Sequence, residues 1–296
     1  MVDWREHLRW VEIDGTRVNV LEVGEGEPLV FVHGHSGNWT NWLENIPRLA
    51  RSRRVIAPDL PGFGFSEMPE WRISIENYAR FLGRLFDALG VESAPVVGNS
   101  MGGFVGAELA VKDPERVDAL VLVSAAGLST KYVGLSDELL RRGWFRAFAR
   151  AINAYASIPE ARLETLVRRP RLRRAVLAAV VRHPDRLAPR MAAEMLRGSG
   201  RPAAPFATDA IVDYDFRDHA SRVRCPTLLV WGDSDRVVPV ESADAYAEAI
   251  PHASKVILED TGHVPMIERP EEFDRLVEEF LADLAAARAP QDAVSR

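Results

Sequence analysis

Gly98-Asn99-Ser100-Met101-Gly102 lies between the apolar run Pro95-Val96-Val97 and the helix-like stretch Phe104-Val105-Gly106-Ala107-Glu108-Leu109-Ala110. A serine on a sharp strand-to-helix turn, with glycine two residues to either side, has the pattern of an alcohol lifted clear of a sheet. Such a turn holds the serine in a strained backbone conformation. Side chains at the flanking positions would strike the neighbouring strand or helix, so glycine is needed there. The helix that follows aims its first N–H groups at any negative charge developing beside the serine. Ser100 is therefore a candidate nucleophile.

Short, continuous apolar runs recur along the chain at 29–32, 55–57, 95–97, 120–123, 228–231 and 256–258. Continuous rather than alternating runs suit strands buried on both faces. Helix-like stretches at 75–89, 101–111, 242–250 and 271–287 separate most of them. In the last, Pro270 followed by Glu271 and Glu272 makes a helix start. Residues 10–13 and 17–23 alternate around Asp14-Gly15, the pattern of a β-hairpin. The alternation of buried strands and helices predicts a mostly parallel, doubly wound α/β sheet, whose sites lie at the carboxyl ends of its strands.

The chain has 296 residues, enough for one large α/β domain with an insertion or for two modest domains. Its hydrophobic content of 47% and charged content of 27% are those of an ordinary globular protein, and the net charge of −6 carries no nucleic-acid signature. The single cysteine, Cys225, excludes an intramolecular disulfide framework and suits a reducing compartment. Before Pro226 it reads as a small buried hydrophobe. The first residues, Met1-Val2-Asp3-Trp4-Arg5-Glu6-His7, have no apolar signal-peptide core, and no uncharged apolar stretch is long enough to cross a bilayer. The expected location is the cytoplasm.

The alternation breaks between about Leu128 and Thr208. This segment reads as helical throughout, without a strand, and Pro159, Pro170, Pro184 and Pro189 divide it into short helices. The predicted organisation is a core of residues 1–127 and 209–296 with a helical insertion at 128–208. Arginine and lysine outnumber acidic residues there by more than two to one, densest at Arg168, Arg169, Arg171, Arg173 and Arg174, while the remainder is acidic. The basic face reads as a solvated surface or as a partner for the acidic body. The functional alternative is attraction of an anionic substrate or a transient contact with an anionic lipid surface.

A serine nucleophile needs an adjacent base, and the base needs a carboxylate to fix its tautomer. Of seven histidines, His7, His183, His219 and His252 lie in charged or loop contexts and read as surface residues. His263 follows the apolar run 256–258 on a loop at a strand's carboxyl end, before Val264-Pro265-Met266. The acid should stand on Gly232-Asp233-Ser234-Asp235-Arg236-Val237-Val238-Pro239, after the run 228–231, and spacing alone does not choose between Asp233 and Asp235.

Several blocks together resemble the α/β-hydrolase superfamily, in its branch with a serine nucleophile and an inserted cap. They are His33-Gly34-His35-Ser36-Gly37, Asp59-Leu60-Pro61-Gly62-Phe63-Gly64-Phe65-Ser66, the turn at Ser100, the loop from Trp231 to Pro239, and Gly262-His263-Val264-Pro265 with Glu268-Arg269-Pro270-Glu271-Glu272-Phe273. The order serine, acid, histidine is also that of the family. The resemblance spans about Trp10 to Leu284. It implies an eight-stranded, mostly parallel sheet flanked by helices, with residues 128–208 as the cap, and Ser100, Asp235 and His263 as the catalytic group. It selects Asp235 and leaves Asp233 as a loop residue. It also implies an oxyanion hole from the backbone N–H groups of His35 and Met101. The same reading gives His33 and Asp59 structural hydrogen-bonding roles.

Trp39, Trp42, Phe104, Trp144, Phe145, Phe148 and Val264 are candidate pocket walls. A serine at position 100 excludes the aspartate-nucleophile chemistry of dehalogenases and epoxide hydrolases of this fold. No metal-binding constellation is visible, and Gly62-x-Gly64 lacks the third glycine of a dinucleotide site, so no cofactor is expected. The leading expectation is hydrolysis of small to medium carboxylic esters by a monomer or homodimer. The first alternative is hydrolysis of a carbon–carbon bond in a vinylogous diketone acid, because Gly98–Gly103 is similar to the elbow of those enzymes. Two departures weigh against it: those relatives carry a glycine-rich oxyanion loop and a tryptophan after the histidine, where this chain has His35 and Val264. Lactone or monoacylglycerol hydrolysis, and a receptor-like slow hydrolase, are further alternatives.

Overall fold

A computed structural model describes residues 4–129, 131–132, 134–136, 160–197 and 201–288. Eight strands form one sheet: β1 (Leu8–Ile13), β2 (Thr16–Val23), β3 (Pro28–Val32), β4 (Arg54–Pro58), β5 (Ala94–Asn99), β6 (Val117–Val123), β7 (Thr227–Gly232) and β8 (Ala253–Leu258). Their spatial order is β1-β2-β4-β3-β5-β6-β7-β8. The hairpin β1–β2 is antiparallel, β2 pairs antiparallel with β4, and every later pairing is parallel. Asp14 and Gly15, both at positive φ, make the hairpin turn.

The buried strands sort their side chains by parity. Val96, Leu120, Leu122, Leu229 and Trp231 enter one apolar cluster, and Val97, Val121, Val123, Leu228 and Val230 enter the other. This is the two-residue strand period with both faces covered, and it explains the unbroken apolar runs. Helices α1 (Ile75–Leu89) and α2 (Met101–Lys112) cover the first face. On α1, Ile75, Tyr78, Phe81, Leu82, Leu85 and Phe86 are buried. Ser74 caps its first turn by accepting from the Asn77 N–H at 3.2 Å, and Gly90 ends it at φ 65°. Helix α2 is buried from Met101 to Val111, as its apolar composition requires.

Between β6 and β7 lie α3 (Glu160–Arg168), α4 (Pro170–Leu177), α5 (Pro189–Arg197) and α6 (Ala204–Asp213). Pro170 and Pro189 are first residues of helices, the position where a missing N–H costs nothing. The expectation of no strand here needs one correction. Lys131–Tyr132 pairs antiparallel with Leu135–Ser136, a two-residue ladder around Gly134 (φ 73°), too short to leave a sequence signal. Leu163, Val167, Leu177 and Met191 join the second apolar cluster, which binds α3, α4 and α5 to the sheet body. The second face is completed by α8 (Pro265–Glu268) and α9 (Pro270–Arg288), while α7 (Glu241–Ala249) lies on the first. His219, expected at the surface, is instead half-buried. Its Nδ1 lies 2.7 Å from the Tyr214 hydroxyl, which donates to the buried Glu108 at 2.8 Å. Among the described residues, no helix is long and apolar enough to cross a membrane.

Candidate active site

The carboxyl ends of β3, β5, β7 and β8 carry the candidate residues. The turn after β5 has the strain its glycines predict: Ser100 sits at φ 55°, ψ −117°. Three neighbouring backbone bonds hold it there. The Ser100 N–H donates to Val123 O at 2.9 Å, and Ser100 O accepts from Phe104 and Ala126 at 3.2 and 3.1 Å. A Cβ at Gly98 would lie 2.4 Å from Gly102 O, and one at Gly102 would lie 2.1 Å from Val32 O. Both contacts are with backbone that cannot move aside, so the turn closes only with glycine at each.

After β7 the chain turns so that the Asp235 Oδ1 accepts from Val237 and Val238 N–H at 2.8 and 3.0 Å. Its other oxygen lies 2.8 Å from His263 Nδ1. The Asp235 side chain is 0% exposed and that of His263 7%. With the carboxylate oxygen as acceptor, Nδ1 is the donor of this bond and Nε2 is the ring nitrogen left for another partner. Asp233 stays exposed and accepts from the Thr261 N–H at 3.3 Å.

Asn99, one residue before Ser100, links the two loops. Its Nδ2 donates to Val123 O at 3.1 Å and to His263 O at 3.2 Å. The loop after β3 closes from the other side. A Cβ at Gly34 would lie 3.0 Å from Asn99 Oδ1 and 3.1 Å from Ser100 Cβ. The loops after β3, β5 and β8 thus adjoin one another around Asn99, and the loop after β7 reaches the last of them through Asp235. The N–H groups of His35 and Met101 have no acceptor among the described residues. Met101 is the first residue of α2, where no intrahelical acceptor exists.

The histidine side chains on the β3 loop do other work. His33 accepts from the Leu60 N–H at 2.9 Å through Nε2 and donates from Nδ1 to Gly34 O at 2.8 Å. Burial brings its pKa down to about 4, so it is neutral. His35 turns its ring to α6, donating from Nε2 to Ala204 O at 2.8 Å, with Thr208 Oγ1 at 3.0 Å and Ser36 Oγ on Nδ1. Asp59 accepts from Trp39 N–H, Phe65 N–H and Asn19 Nδ2 at 2.8 to 2.9 Å. Its burial raises its pKa.

Of the expected pocket walls, Trp39 and Val264 are buried in the second apolar cluster. Phe104 is fully buried behind the turn, stacked on Tyr214 at 5.6 Å and edge-on to Phe216 at 5.3 Å. It is packed as core, because α2 is enclosed on every side. Trp144, Phe145 and Phe148 lie outside the described residues. Among the described residues no group of three or more His, Cys, Asp or Glu is disposed to hold a metal.

The alpha/beta hydrolase fold model matches residues 27–270. The chain belongs to the alpha/beta hydrolase family. Within that family it is 32% identical over 293 residues to the 2-hydroxy-6-oxo-2,4-heptadienoate hydrolase of Pseudomonas putida, covering 93% of this chain and 96% of the other. The meta-cleavage product hydrolase from Pseudomonas fluorescens IP01 superposes with a TM-score of 0.74 at 27% identity, covering 93% of this chain and 97% of that one. An N-acyl homoserine lactone degrading enzyme superposes at 0.72 with 29% identity, covering 92% and 100%. This chain is an alpha/beta hydrolase with an eight-stranded, mostly parallel sheet.

Two features of this hydrolase were hidden in its sequence. The His263 N–H donates to Val180 O at 2.8 Å, so a segment 83 residues upstream touches the histidine loop. Asn99 stood inside the quoted turn, but nothing in the spacing marked its amide as the link to residue 263.

Proposed function

We propose that this hydrolase cleaves carboxylic esters of small to medium size, with Ser100 as nucleophile, His263 as base and Asp235 as its carboxylate partner. Residues 128–208 act as the cap over the site. The observation that carries the reading is the Asp235–His263 bond at 2.8 Å, on a loop tied to Asn99, the residue beside the strained Ser100. In the first step His263 Nε2 takes the hydroxyl proton as Ser100 Oγ attacks the carbonyl carbon. The oxyanion is held by the His35 and Met101 N–H groups, each such donor being worth about 3–4 kcal/mol. Collapse expels the alkoxide, which leaves with the proton from His263. Water, deprotonated by His263, then attacks the acyl group and releases the acid and Ser100.

An organophosphonate should label Ser100, and Ser100→Ala should abolish p-nitrophenyl ester turnover. Turnover persisting in that variant ends the reading. A second reading, carbon–carbon bond hydrolysis, is favoured by the 32% identity to the heptadienoate hydrolase. Its support is tempered by Val264 in the place of the usual tryptophan. A direct assay separates the two. Fast bleaching of a yellow ring-fission product, with slow p-nitrophenyl acetate turnover, would put the second reading first.

A further inference from the structure

A seam of hydrogen bonds joins a segment of the proposed cap to the histidine loop. The backbone at 180–183 runs alongside the loop 259–263, and the His263 N–H, Glu268 and Asp260 stitch them together. The His263 N–H donates to Val180 O at 2.8 Å. Glu268 then serves both sides at once: Oε1 accepts from the Gly262 N–H at 2.9 Å, and Oε2 accepts from the Arg182 N–H at 2.7 Å. Asp260, held at φ 51°, accepts from Arg182 Nε at 3.1 Å and from His183 Nε2 at 2.7 Å. Gly262 is the only residue type that fits this contact, since a Cβ there would lie 2.8 Å from Val180 O, Arg182 N and Glu268 Oε1 together.

We propose that Glu268 is a positioning residue that fastens the cap to the loop carrying His263, so that seating of the cap and alignment of the imidazole are one event. The proposal rests on the assignment of His263 as the base. Glu268 ends the short helix α8, and its own N–H is bonded to Val264 O at 3.0 Å, so the carboxylate has a rigid mount. Hydrogen bonds to a carboxylate are short and strong, and a half-buried carboxylate stripped of its donors is costly. If segment 180–182 lifts, the N–H of His263 loses its acceptor and Glu268 loses one of its donors. The loop then has no reason to stay where Asp235 and Asn99 meet it. The seated cap therefore completes the base, and an unseated cap leaves it misaligned. The ion pairs of Asp260 add to the seam from the solvent side.

The test uses the full chain and the variants Glu268→Ala and Glu268→Gln. Amide hydrogen exchange is followed by mass spectrometry at 180–183 and 261–264, and p-nitrophenyl acetate gives kcat and KM. In Glu268→Ala, exchange at both segments should accelerate together while β5 and β6 stay protected. The same variant should lose roughly ten- to a hundredfold in kcat, with KM changed by less than about threefold. Glu268→Gln keeps one carbonyl acceptor and should fall between wild type and alanine in both readouts, which also guards against simple misfolding of the alanine variant. Faster exchange with unchanged kcat overturns the coupling. A loss of kcat with unchanged exchange at these segments overturns the fastening. Failure of the organophosphonate to label Ser100 in the wild type would instead count against the ester reading itself.

Discussion

Asp233 and Asp235 stand on one loop, and only Asp235 reaches the imidazole. Spacing could not separate them. The difference is made by the N–H groups of Val237 and Val238, which take one carboxylate oxygen and leave the other for His263. Such a turn is invisible in a list of residue types. On the proposed mechanism, Asp235→Asn leaves the imidazole in the wrong tautomer and should lower kcat by roughly a thousand- to ten-thousandfold, measured on a p-nitrophenyl ester. Asp233→Asn should change kcat by less than about threefold, since its exposed side chain bonds loop groups at Ser234, Asp260 and Thr261 and does not reach His263. His35 was equally opaque: its partners, Ala204 and Thr208, lie on a helix 169 residues or more downstream. Asp59 carries a stability prediction. Its alanine variant strands two buried donors, on Trp39 and Asn19, and a partly buried one on Phe65, and should cost about 2–4 kcal/mol, read by urea unfolding.

At the scale of elements, the pattern was clearest where period and punctuation agreed. Helix α1 has a 3.6-residue apolar stripe with a serine before it and a glycine after it, and its bounds are the 75–89 read from the sequence. The strands extend one to three residues past their apolar runs, because backbone pairing continues where side chains turn polar. The turn at Ser100 was legible because its glycines answer to contacts within a few residues and with the adjacent β3. It also gives a sharp prediction. Gly102→Ala drives a methyl group into Val32 O, a contact of 2.1 Å, and overpacking of this kind costs roughly 1–3 kcal/mol or more. Thermal unfolding of that variant should begin well below the wild type, and Ser100 should lose its phosphonate reactivity even in the molecules that remain folded. The short ladder at Lys131–Tyr132 had no such signal, for two residues cannot establish a period.

At the scale of the whole molecule, the excess of basic residues between β6 and β7 is met in part by acids on the body. Arg182, His183 and Arg186 gather around Asp260, and Arg174 pairs with Asp185 within its own segment. Charge balance was readable from composition, but the partners were not, because they depend on how segments distant in sequence fold together. The second face also holds a titrating group. Asp274 is buried against Asn45, and desolvation raises its pKa to about 7. A carboxyl raised in the folded state favours folding below its unfolded pKa, and that contribution is lost as pH climbs through the folded value. Relative to Asp274→Asn, the wild type should therefore lose stability between about pH 4 and pH 7, seen as a falling difference in Tm. On the proposed mechanism the acyl group rests on the Ser100 hydroxyl oxygen while His263 recruits water. Rapid quenching during turnover of a p-nitrophenyl ester, followed by peptide mass mapping, tests it directly. The acyl mass should appear on Ser100 in wild type and accumulate in His263→Gln, where deacylation slows. Full turnover with no acyl mass on Ser100, or with that mass on another side chain, would contradict it.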